Sequence, residues 1–265
     1  MSKYLHIAEI ILKRRRVLLM ASYIDVKRRY AGTVFGLLWL VLYPVSFLTI
    51  YLFVYLVLLQ VKFPDFSNVE YVLFVFSGLV PYVSLMESAS KSSSCIRQNM
   101  NLVTNSIVPL DLLPARSVLI ALLGQLIGVT ALIILAILSD NLTWKILTLP
   151  VAMALFTIFL LGVSYFIAII GVFLPDIDQV IGLFLLFLMF MSPIAFQPEM
   201  VPDTLRFVVF VNPIYYMLEP FRWAVFADYQ MVTGHYFVPL AISLVVFVGG
   251  SRIFIQLKEQ AIDNV

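Results

Sequence analysis

The chain has 265 residues, of which 62% are hydrophobic and only 12% are charged, and its mean hydropathy is +1.03. A soluble domain is about half apolar and about a quarter charged, so this composition excludes an ordinary soluble enzyme and indicates an integral membrane protein. The net charge of +2 is too small to favour a nucleic-acid partner. The single cysteine, Cys95, excludes an internal disulfide and a cysteine metal cluster.

The first 30 residues differ from the rest of the chain because they mix apolar side chains with basic runs. Lys13 to Arg16 and Lys27 to Arg29 interrupt a sequence that is otherwise rich in Leu, Ile and Met. A basic amphipathic helix that precedes a membrane span is expected to lie along the membrane surface. We therefore predict a surface helix over 1–30 and a transmembrane domain over 31–265. The surface helix either only anchors the chain to lipid or also contacts a cytoplasmic partner.

Residues 31–265 contain six apolar stretches, and a bilayer core of roughly 30 Å requires about 20 apolar residues of helix. Only one stretch carries an acidic residue, Glu87, which lies near its end. The fold class that follows is an all-α membrane protein with six transmembrane helices. The predicted spans are about 36–59, 71–90, 117–138, 147–174, 180–196 and 236–255.

The basic residues predict which side of the membrane each segment faces. Six spans place both termini on one side, and a cytoplasmic N-terminus puts 13 of the 17 Lys and Arg residues on the cytoplasmic side. Cytoplasmic segments of membrane proteins are enriched in Lys and Arg. We therefore expect a multi-pass membrane protein with both termini in the cytoplasm.

Aromatic residues recur every four positions along the first span. Each step of four advances about 40° around a helix of 3.6 residues per turn, so the stripe spirals slowly over roughly 30 Å. Aromatic faces suit the C–H faces of sugar rings, and Tyr and Trp add a hydrogen-bonding group. The stripe either lines a substrate channel or faces lipid and neighbouring helices. Its members are Phe35, Trp39, Tyr43, Phe47, Tyr51 and Tyr55, and a second candidate wall on the fifth span consists of Phe184, Phe187 and Phe190.

The segment at 197–235 is too apolar for an ordinary loop, yet prolines divide it into pieces too short to span a membrane. Broken helices at membrane depth are tolerated where protein or a water-filled cavity surrounds them. We predict a re-entrant helix pair at about 199–227, between the fifth and sixth spans. Glu219 and Arg222 are three residues apart there, and they form either a structural salt bridge or a gating latch.

Familiar catalytic patterns are absent from the sequence. It has no Gly-Lys dipeptide for a phosphate-binding loop and no Gly-x-Ser-x-Gly motif, and its two histidines stand at opposite ends. Asp176 and Asp178 follow a proline, and we expect an aspartate there to cap the next helix. Glu87 is a weak candidate for a proton site. We expect no metal site, no catalytic residue and no cofactor in this chain.

Three motifs are spread along the chain. The first is the basic pair with Tyr30 that precedes Gly-Leu-Leu-Trp at 36–39 and a later Pro44. The second is the loop NMNLVTNSIVPLDLLP at 99–114. The third combines MSPIAF at 191–196, Val-Pro at 201–202 and NPIYYMLEPFR at 212–222. The motifs extend through nearly the whole chain and resemble, in the same order, those of the permeases of ABC transporters that export polysaccharides such as O-antigen, teichoic acid and capsule. The resemblance implies a protein of a bacterial inner membrane.

The resemblance implies a complex of two copies of this chain with two separate ATP-binding subunits, which would hold the ATP and Mg²⁺. The loop at about 97–108 would be the coupling helix that contacts the ATPase, and the re-entrant pair would narrow the periplasmic exit. The implied coupling residues are Arg97, Asn99, Asn101, Leu102, Val103, Ile107 and Pro109. The implied gate residues are Pro193, Pro202, Asn212, Pro213, Glu219 and Arg222.

The function that the resemblance implies is ATP-driven export of a lipid-linked polysaccharide, with this chain forming the channel and doing no covalent chemistry. One alternative with the same fold is an exporter of a small lipid or drug. An ion-coupled secondary transporter is a different class, and the scarcity of acidic residues within the spans argues against it. A membrane-bound acyltransferase or glycosyltransferase would need a polar catalytic cluster, which the sequence does not suggest.

Overall fold

The computed structural model describes residues 5–58, 60, 67–104, 109–231 and 236–263. These residues form α-helices joined by turns and by short 3₁₀ or π segments, and they contain no β-strand, in agreement with the predicted all-α class. The α-helices are α1 (Leu5–Lys13), α2 (Arg15–Tyr30), α3 (Trp39–Leu52), α4 (Asn68–Ser92), α5 (Cys95–Gln98), α6 (Met100–Thr104), α7 (Leu112–Leu138), α8 (Leu149–Phe173), α9 (Ile177–Met191), α10 (Asp203–Val211), α11 (Pro213–Val225) and α12 (Phe237–Asp263).

Within the described part of the chain, four helices are long and apolar enough to cross a membrane, and they confirm four of the six predicted spans. They cover Val69–Ser92, Leu112–Leu138, Trp144–Phe173 and Phe237–Ile262. The physical reason is the same for each of them. Lipid offers no hydrogen-bonding partner, and a helix pairs the backbone N–H and C=O groups of an apolar segment with one another.

The predicted spans at 36–59 and 180–196 correspond to shorter apolar helices. Residues Gly36–Phe47 and Ile177–Met191 are the apolar segments found there. The 15 residues of α9 rise only about 22 Å, less than the roughly 30 Å of the hydrocarbon core. In the first of these regions α3 carries Pro44 in its interior and passes into a π-helix at Phe53–Leu58. The count of six full spans therefore stays a prediction.

Helices α8 and α12 make a backbone-to-backbone contact. A Cβ atom added to Gly250 would collide with the backbone carbonyl of Gly162, and one added to Gly162 would lie 2.5 Å from the backbone nitrogen of Phe247. Glycine at both positions lets the two backbones touch, as small residues do at helix contacts in membranes. These two helices consequently form a rigid pair.

Helices α4 and α11 complete the apolar core. Tyr82 on α4 donates to the backbone carbonyl of Leu185 on α9, and Tyr71 donates to that of Ala195 at 3.2 Å. Phe221 on α11 is fully buried and meets the ring of Phe156 on α8 edge to face, with centroids 5.8 Å apart. Although α11 is only 13 residues long, it lies inside the bundle.

A second apolar cluster forms at the end of the bundle where the cationic residues gather. Ile7 of α1 is fully buried there together with Tyr165 of α8 and Phe254 of α12. The predicted surface helix is thus two helices, α1 and α2, which meet at Arg14, and α1 packs against protein through Ile7. We call this region the basic end; it comprises α1, α2, α5, α6, the first turns of α7 and α9, and the last turns of α12.

Candidate functional site

Arg116 is the central side chain of the basic end. It lies at the start of α7, and its side chain is only 10% exposed. Its Nε donates to Asp25 of α2 at 2.9 Å, and its Nη2 donates to Asn99 between α5 and α6 at 2.9 Å. A guanidinium presents its donors in a fixed fork, so one side chain can hold two partners at a set angle. Arg116 therefore joins the surface helix, the α5–α6 loop and a long apolar helix.

Arg97 makes the second connection of the α5–α6 loop. Its Nη2 donates to the carboxylate of Asp178 in the first turn of α9 at 2.8 Å. The predicted side-chain cap of α9 is not formed, since Asp176 occupies the N-cap position with helical backbone angles and makes no capping hydrogen bond. The aspartate pair thus serves a different purpose: Asp178 ties α9 to the α5–α6 loop.

A third set of contacts fixes the far side of the loop to α8 and α12. The ammonium of Lys258 on α12 lies 3.2 Å from the carboxylate of Asp111, and the hydroxyl of Tyr165 donates to the backbone carbonyl of Asp111 at 2.6 Å. Tyr165 in turn meets Phe254 edge to face, with centroids 5.0 Å apart. The chain that leaves the loop is therefore anchored to the rigid α8–α12 pair.

The coupling residues that the resemblance implied fall into two groups. Arg97 and Asn99 are structural anchors, as their contacts show. Asn101 is exposed, whereas Val103 and Pro109 are partly buried. The side chain of Leu102 and the whole of Ile107 lie outside the described residues. Cys95 next to Arg97 is buried, and that burial raises the pKa of its thiol to about 12, so the thiol stays neutral.

Sequence reasoning missed the residues that make the other half of each connection. Asp25, Asp111, Arg116 and Lys258 were not among the predicted site residues. A signal was present, because Asp25 is one of only two acids in the first 30 residues and Arg116 is a charge beside a long apolar run. The sequence alone does not pair them, since the partners Asp25 and Arg116 are 91 positions apart.

The members of the predicted aromatic stripe along the first span differ in their exposure. Phe35 and Tyr43 are more than half exposed, at 53% and 56%, while Phe47 is partly buried against the core. The rings of Phe35 and Trp39 meet edge to face, with centroids 5.7 Å apart. The side chains of Tyr51 and Tyr55 lie outside the described residues. The π-helix at Phe53–Leu58 also changes the turn, so the spacing of four does not keep one face through the whole segment.

Helix α9 presents its three predicted phenylalanines outward. Phe184, Phe187 and Phe190 are each more than half exposed, and only Leu185 and Met189 of this helix are buried. Apolar side chains that are not covered within one chain of a membrane protein face lipid, another subunit or a channel. The exposed faces of α3 and α9 are therefore candidates for the channel wall that the sequence predicted.

Arg222 defines the opposite end of the bundle. It is 1% exposed, and its Nη2 donates to the backbone carbonyl of Pro193 and, at 3.2 Å, to that of Ile194. Its guanidinium lies 3.9 Å from the centroid of the Phe74 ring. A buried cation is stable only when paired or hydrogen-bonded, so this arginine holds the turn after α9 in place. Burial raises the pKa of nearby Tyr229, and the charge of Arg222 offsets only part of that increase.

The remaining predicted gate residues lie on the turn after α9 and on α10 and α11. Asn212 accepts from the backbone N–H of Ile214 at 3.0 Å and so caps α11, while its amide donates to Ser192 at 2.9 Å. Pro202 and Pro213 stand at the starts of α10 and α11, where a missing N–H does no harm. Pro193 is buried on the turn that Arg222 holds. Glu219 is fully buried on α11.

Glu87 lies near the C-terminal end of α4 and forms two ion pairs. Its carboxylate accepts from Arg29 at 2.5 Å and from Lys91 at 2.7 Å. As predicted, Glu87 lies near the end of its helix, and two cations lie beside it.

Comparison with known proteins identifies the family. The family model described as ABC-2 type transporter matches residues 17–226. The O-antigen export system permease protein RfbA of Klebsiella pneumoniae is 24% identical over 240 residues, which are 88% of this chain and 89% of the relative. A protein of the same name from Myxococcus xanthus is 23% identical over 245 residues, or 91% and 92% of the two chains. The polysialic acid transport protein KpsM of Escherichia coli is 24% identical over 207 residues, or 77% and 79%. Because the family model covers most of its length, this chain belongs to the ABC-2 type transporter family.

Proposed function

We propose that this protein is the membrane subunit of an ATP-driven exporter that moves a lipid-linked polysaccharide out of the cytoplasm. The observation that carries the proposal is similarity over about nine-tenths of the chain to two permeases named for O-antigen export. A relative named for polysialic acid transport adds a second kind of polymer. The chemical class that these names share is a long carbohydrate chain.

The exporter works as two copies of this chain with two separate ATPase chains, which bind the ATP and Mg²⁺. The α5–α6 loop is the part that contacts the ATPase. Its bracing supports this assignment, because Arg97 transmits a displacement of the loop to α9 and Arg116 transmits it to α2 and α7. The chain itself performs no covalent chemistry.

The channel runs between the two copies and is lined by α3 and α9. Support comes from the apolar side chains that these two helices leave uncovered, above all Phe35, Tyr43 and the phenylalanines of α9. Aromatic rings stack on the C–H faces of sugars without holding one sugar at a fixed depth. Such a surface lets a polymer slide rather than bind at one site.

Helices α10 and α11 form the re-entrant pair that narrows the exit on the outer side. Their lengths of 9 and 13 residues support this, because neither crosses a hydrocarbon core of roughly 30 Å. Arg222 joins α11 to the turn after α9, so α9 and the exit pair move together. In this arrangement the basic end and both termini face the cytoplasm of a bacterial cell, and the protein lies in the inner membrane.

The test is a strain that lacks this gene. Surface polysaccharide should disappear, and lipid-linked polymer should accumulate inside the cell, where labelling from outside does not reach it. Wild-type protein on a plasmid should restore export, and the protein purified from native membranes should carry a P-loop ATPase in stoichiometric amount. Unchanged surface polysaccharide, together with loss of a small lipid from the outer leaflet, would instead identify an exporter of small lipids.

A further inference from the structure

Two adjoining cavities lie between α2, α3, α4 and α7. One has a volume of 260 Å³ and a mostly apolar wall, and the other has a volume of 330 Å³ and a wall that is polar and apolar in nearly equal parts. Arg29 and Lys91 line both, so the cavities meet at these two cations. Side chains at the apolar wall include Tyr43, Phe47, Val80 and Val83, with Gly124 and Gly128. Those at the wall of the second cavity include Asp25, Ser94, Gln98, Asn99, Arg116 and Ser117.

The charge at the junction favours an anion. Arg29, Lys91 and Arg116 are cationic, whereas Asp25 and Glu87 are anionic, which leaves a surplus of one positive charge. Glu87 takes one hydrogen bond from Arg29 and one from Lys91. A guanidinium has five N–H donors and an ammonium three, so both cations keep further donors for a ligand. The Arg29 side chain is 41% exposed and that of Lys91 is 27% exposed, which makes those donors accessible.

The position of the cavities matches the boundary between headgroups and acyl chains. Lys91 is the second-last residue of α4, while Val80 lies seven residues before Glu87, about 10 Å deeper along the helix. The apolar cavity therefore extends into the membrane from the charged junction. Gly124 borders open space, because a Cβ added there would contact only Glu87, at 3.5 Å.

We propose that this composite cavity binds one anionic phospholipid of the surrounding bilayer. Its phosphate lies between Arg29 and Lys91, and one acyl chain occupies the apolar cavity between α3, α4 and α7. Basic pockets between transmembrane helices are suited to lipid phosphates. The surplus of a single positive charge matches a phosphodiester, which carries one negative charge. The proposal concerns the bilayer and does not depend on which cargo the protein exports.

The test is native mass spectrometry of the full-length protein, delipidated in detergent and titrated with two lipids that have the same acyl chains. Phosphatidylglycerol should bind once per chain at about tenfold lower concentration than phosphatidylcholine, because the two lipids share the phosphodiester but the choline cation offsets its charge beside Arg29 and Lys91. The double variant R29Q/K91Q should lose this preference. R28Q is the matched control, because Arg28 is exposed, is one residue from Arg29 and lines neither cavity, so it should keep the preference.

A second variant tests the apolar half independently. Gly124→Leu fills the cavity and should lower the retention of both lipids while the thermal midpoint of the protein stays close to that of the wild type. Equal binding of the two lipids to the wild type, or a preference that persists in R29Q/K91Q, would overturn the proposal. A polyprenyl phosphate that displaces phosphatidylglycerol at tenfold lower concentration would also overturn it, because the pocket would then belong to a lipid-linked cargo.

Discussion

Helices α8 and α9 follow each other in the chain, but α8 has many buried residues and α9 has few. The 25 residues of α8 include a long list of buried positions, and Gly162 brings its backbone into contact with α12. Of the 15 residues of α9, only Leu185 and Met189 are buried. Both helices are almost purely apolar, so hydrophobicity does not distinguish them.

The difference separates a scaffold from a working surface. Helix α8 is held by backbone-to-backbone packing that leaves no space for rearrangement, since packed interiors resist small changes of volume. Helix α9 is held at its ends, by Asp178 at the first turn and by the carbonyls after Met191 that Arg222 binds. Between them, Tyr82 of α4 donates to the carbonyl of Leu185. A helix held at a few points and uncovered along one side is suited to line a path and to follow a displaced loop. Four experiments test this contrast, from the largest expected effect to the smallest.

Replacing Arg222 with Met should have the largest effect, because it removes the group that holds the turn after α9. The carbonyls of Pro193 and Ile194 would lose their donor, and each buried unsatisfied group costs about 1–3 kcal/mol. We expect a loss of roughly 2 to 6 kcal/mol, seen as a lower thermal midpoint and aggregation on size exclusion in detergent. Arg206→Gln is the control, since Arg206 makes an i,i+3 pair with the exposed Asp203 and should change stability by less than about 1 kcal/mol. Equal midpoints for the two variants would refute the proposed role of Arg222.

Replacing Gly250 with Ala should weaken the scaffold itself. The new Cβ would collide with the carbonyl of Gly162, so α8 and α12 would have to separate, at a cost of about 1–3 kcal/mol. The neighbouring Gly249 provides a matched control, because a Cβ there would meet nothing within 4 Å. Thermal melts should show a lower midpoint for Gly250→Ala than for Gly249→Ala. The reverse order would contradict the rigid pairing of these helices.

Arg97→Asp should leave the fold intact and reduce transport. It places two carboxylates together at the first turn of α9, so displacement of the α5–α6 loop would no longer reach that helix. The pair is partly exposed, and we expect a stability change of only about 1 kcal/mol. Export should fall clearly while the ATPase still co-purifies. The exchanged pair Arg97→Asp with Asp178→Arg should recover export, and failure to recover with a normal fold would show that the contact does not carry coupling.

The double variant Trp39→Ala, Tyr43→Ala should have the smallest effect on stability, because both side chains are incompletely buried. Export of polymer should slow, since the sliding surface loses its rings, and ATPase pairing should stay normal. Val41→Ala, Val45→Ala is the matched control on the same helix, as both valines are exposed and lack rings. If both double variants export at the wild-type rate, the aromatic surface of α3 is not part of the channel.

Sequence reasoning predicted correctly the features that depend on one segment and its surrounding lipid or water. Composition and runs of apolar residues predicted a helical membrane protein, and four of the predicted spans match helices of spanning length to within a few residues. Proline positions predicted the two short helices after α9, because a proline ends or begins a helix for reasons local to the chain.

Contacts between distant residues could not be derived in this way. Asp176 has the position and residue type of a helix cap, yet the tertiary structure uses Asp178 for a bond to Arg97 and leaves Asp176 without a capping bond. Arg222 was expected to pair with Glu219 on its own helix, and the spacing of these two residues gives no sign that the guanidinium also donates to the carbonyls of Pro193 and Ile194. In each case the partner is distant in the sequence, whereas helix propensity and helix capping depend only on residues that are close in the sequence.

The amino-acid sequence by itself determined that the chain lies in a membrane, that it is helical, and where its longest helices run, because burial of backbone polar groups in lipid permits little else. The tertiary structure decided which apolar helix becomes scaffold and which becomes surface. That choice depends on shape, as in the contact between Gly162 and Gly250, and on charge pairs such as Arg116 with Asp25. Both are properties of two segments brought together, and neither segment reveals them alone.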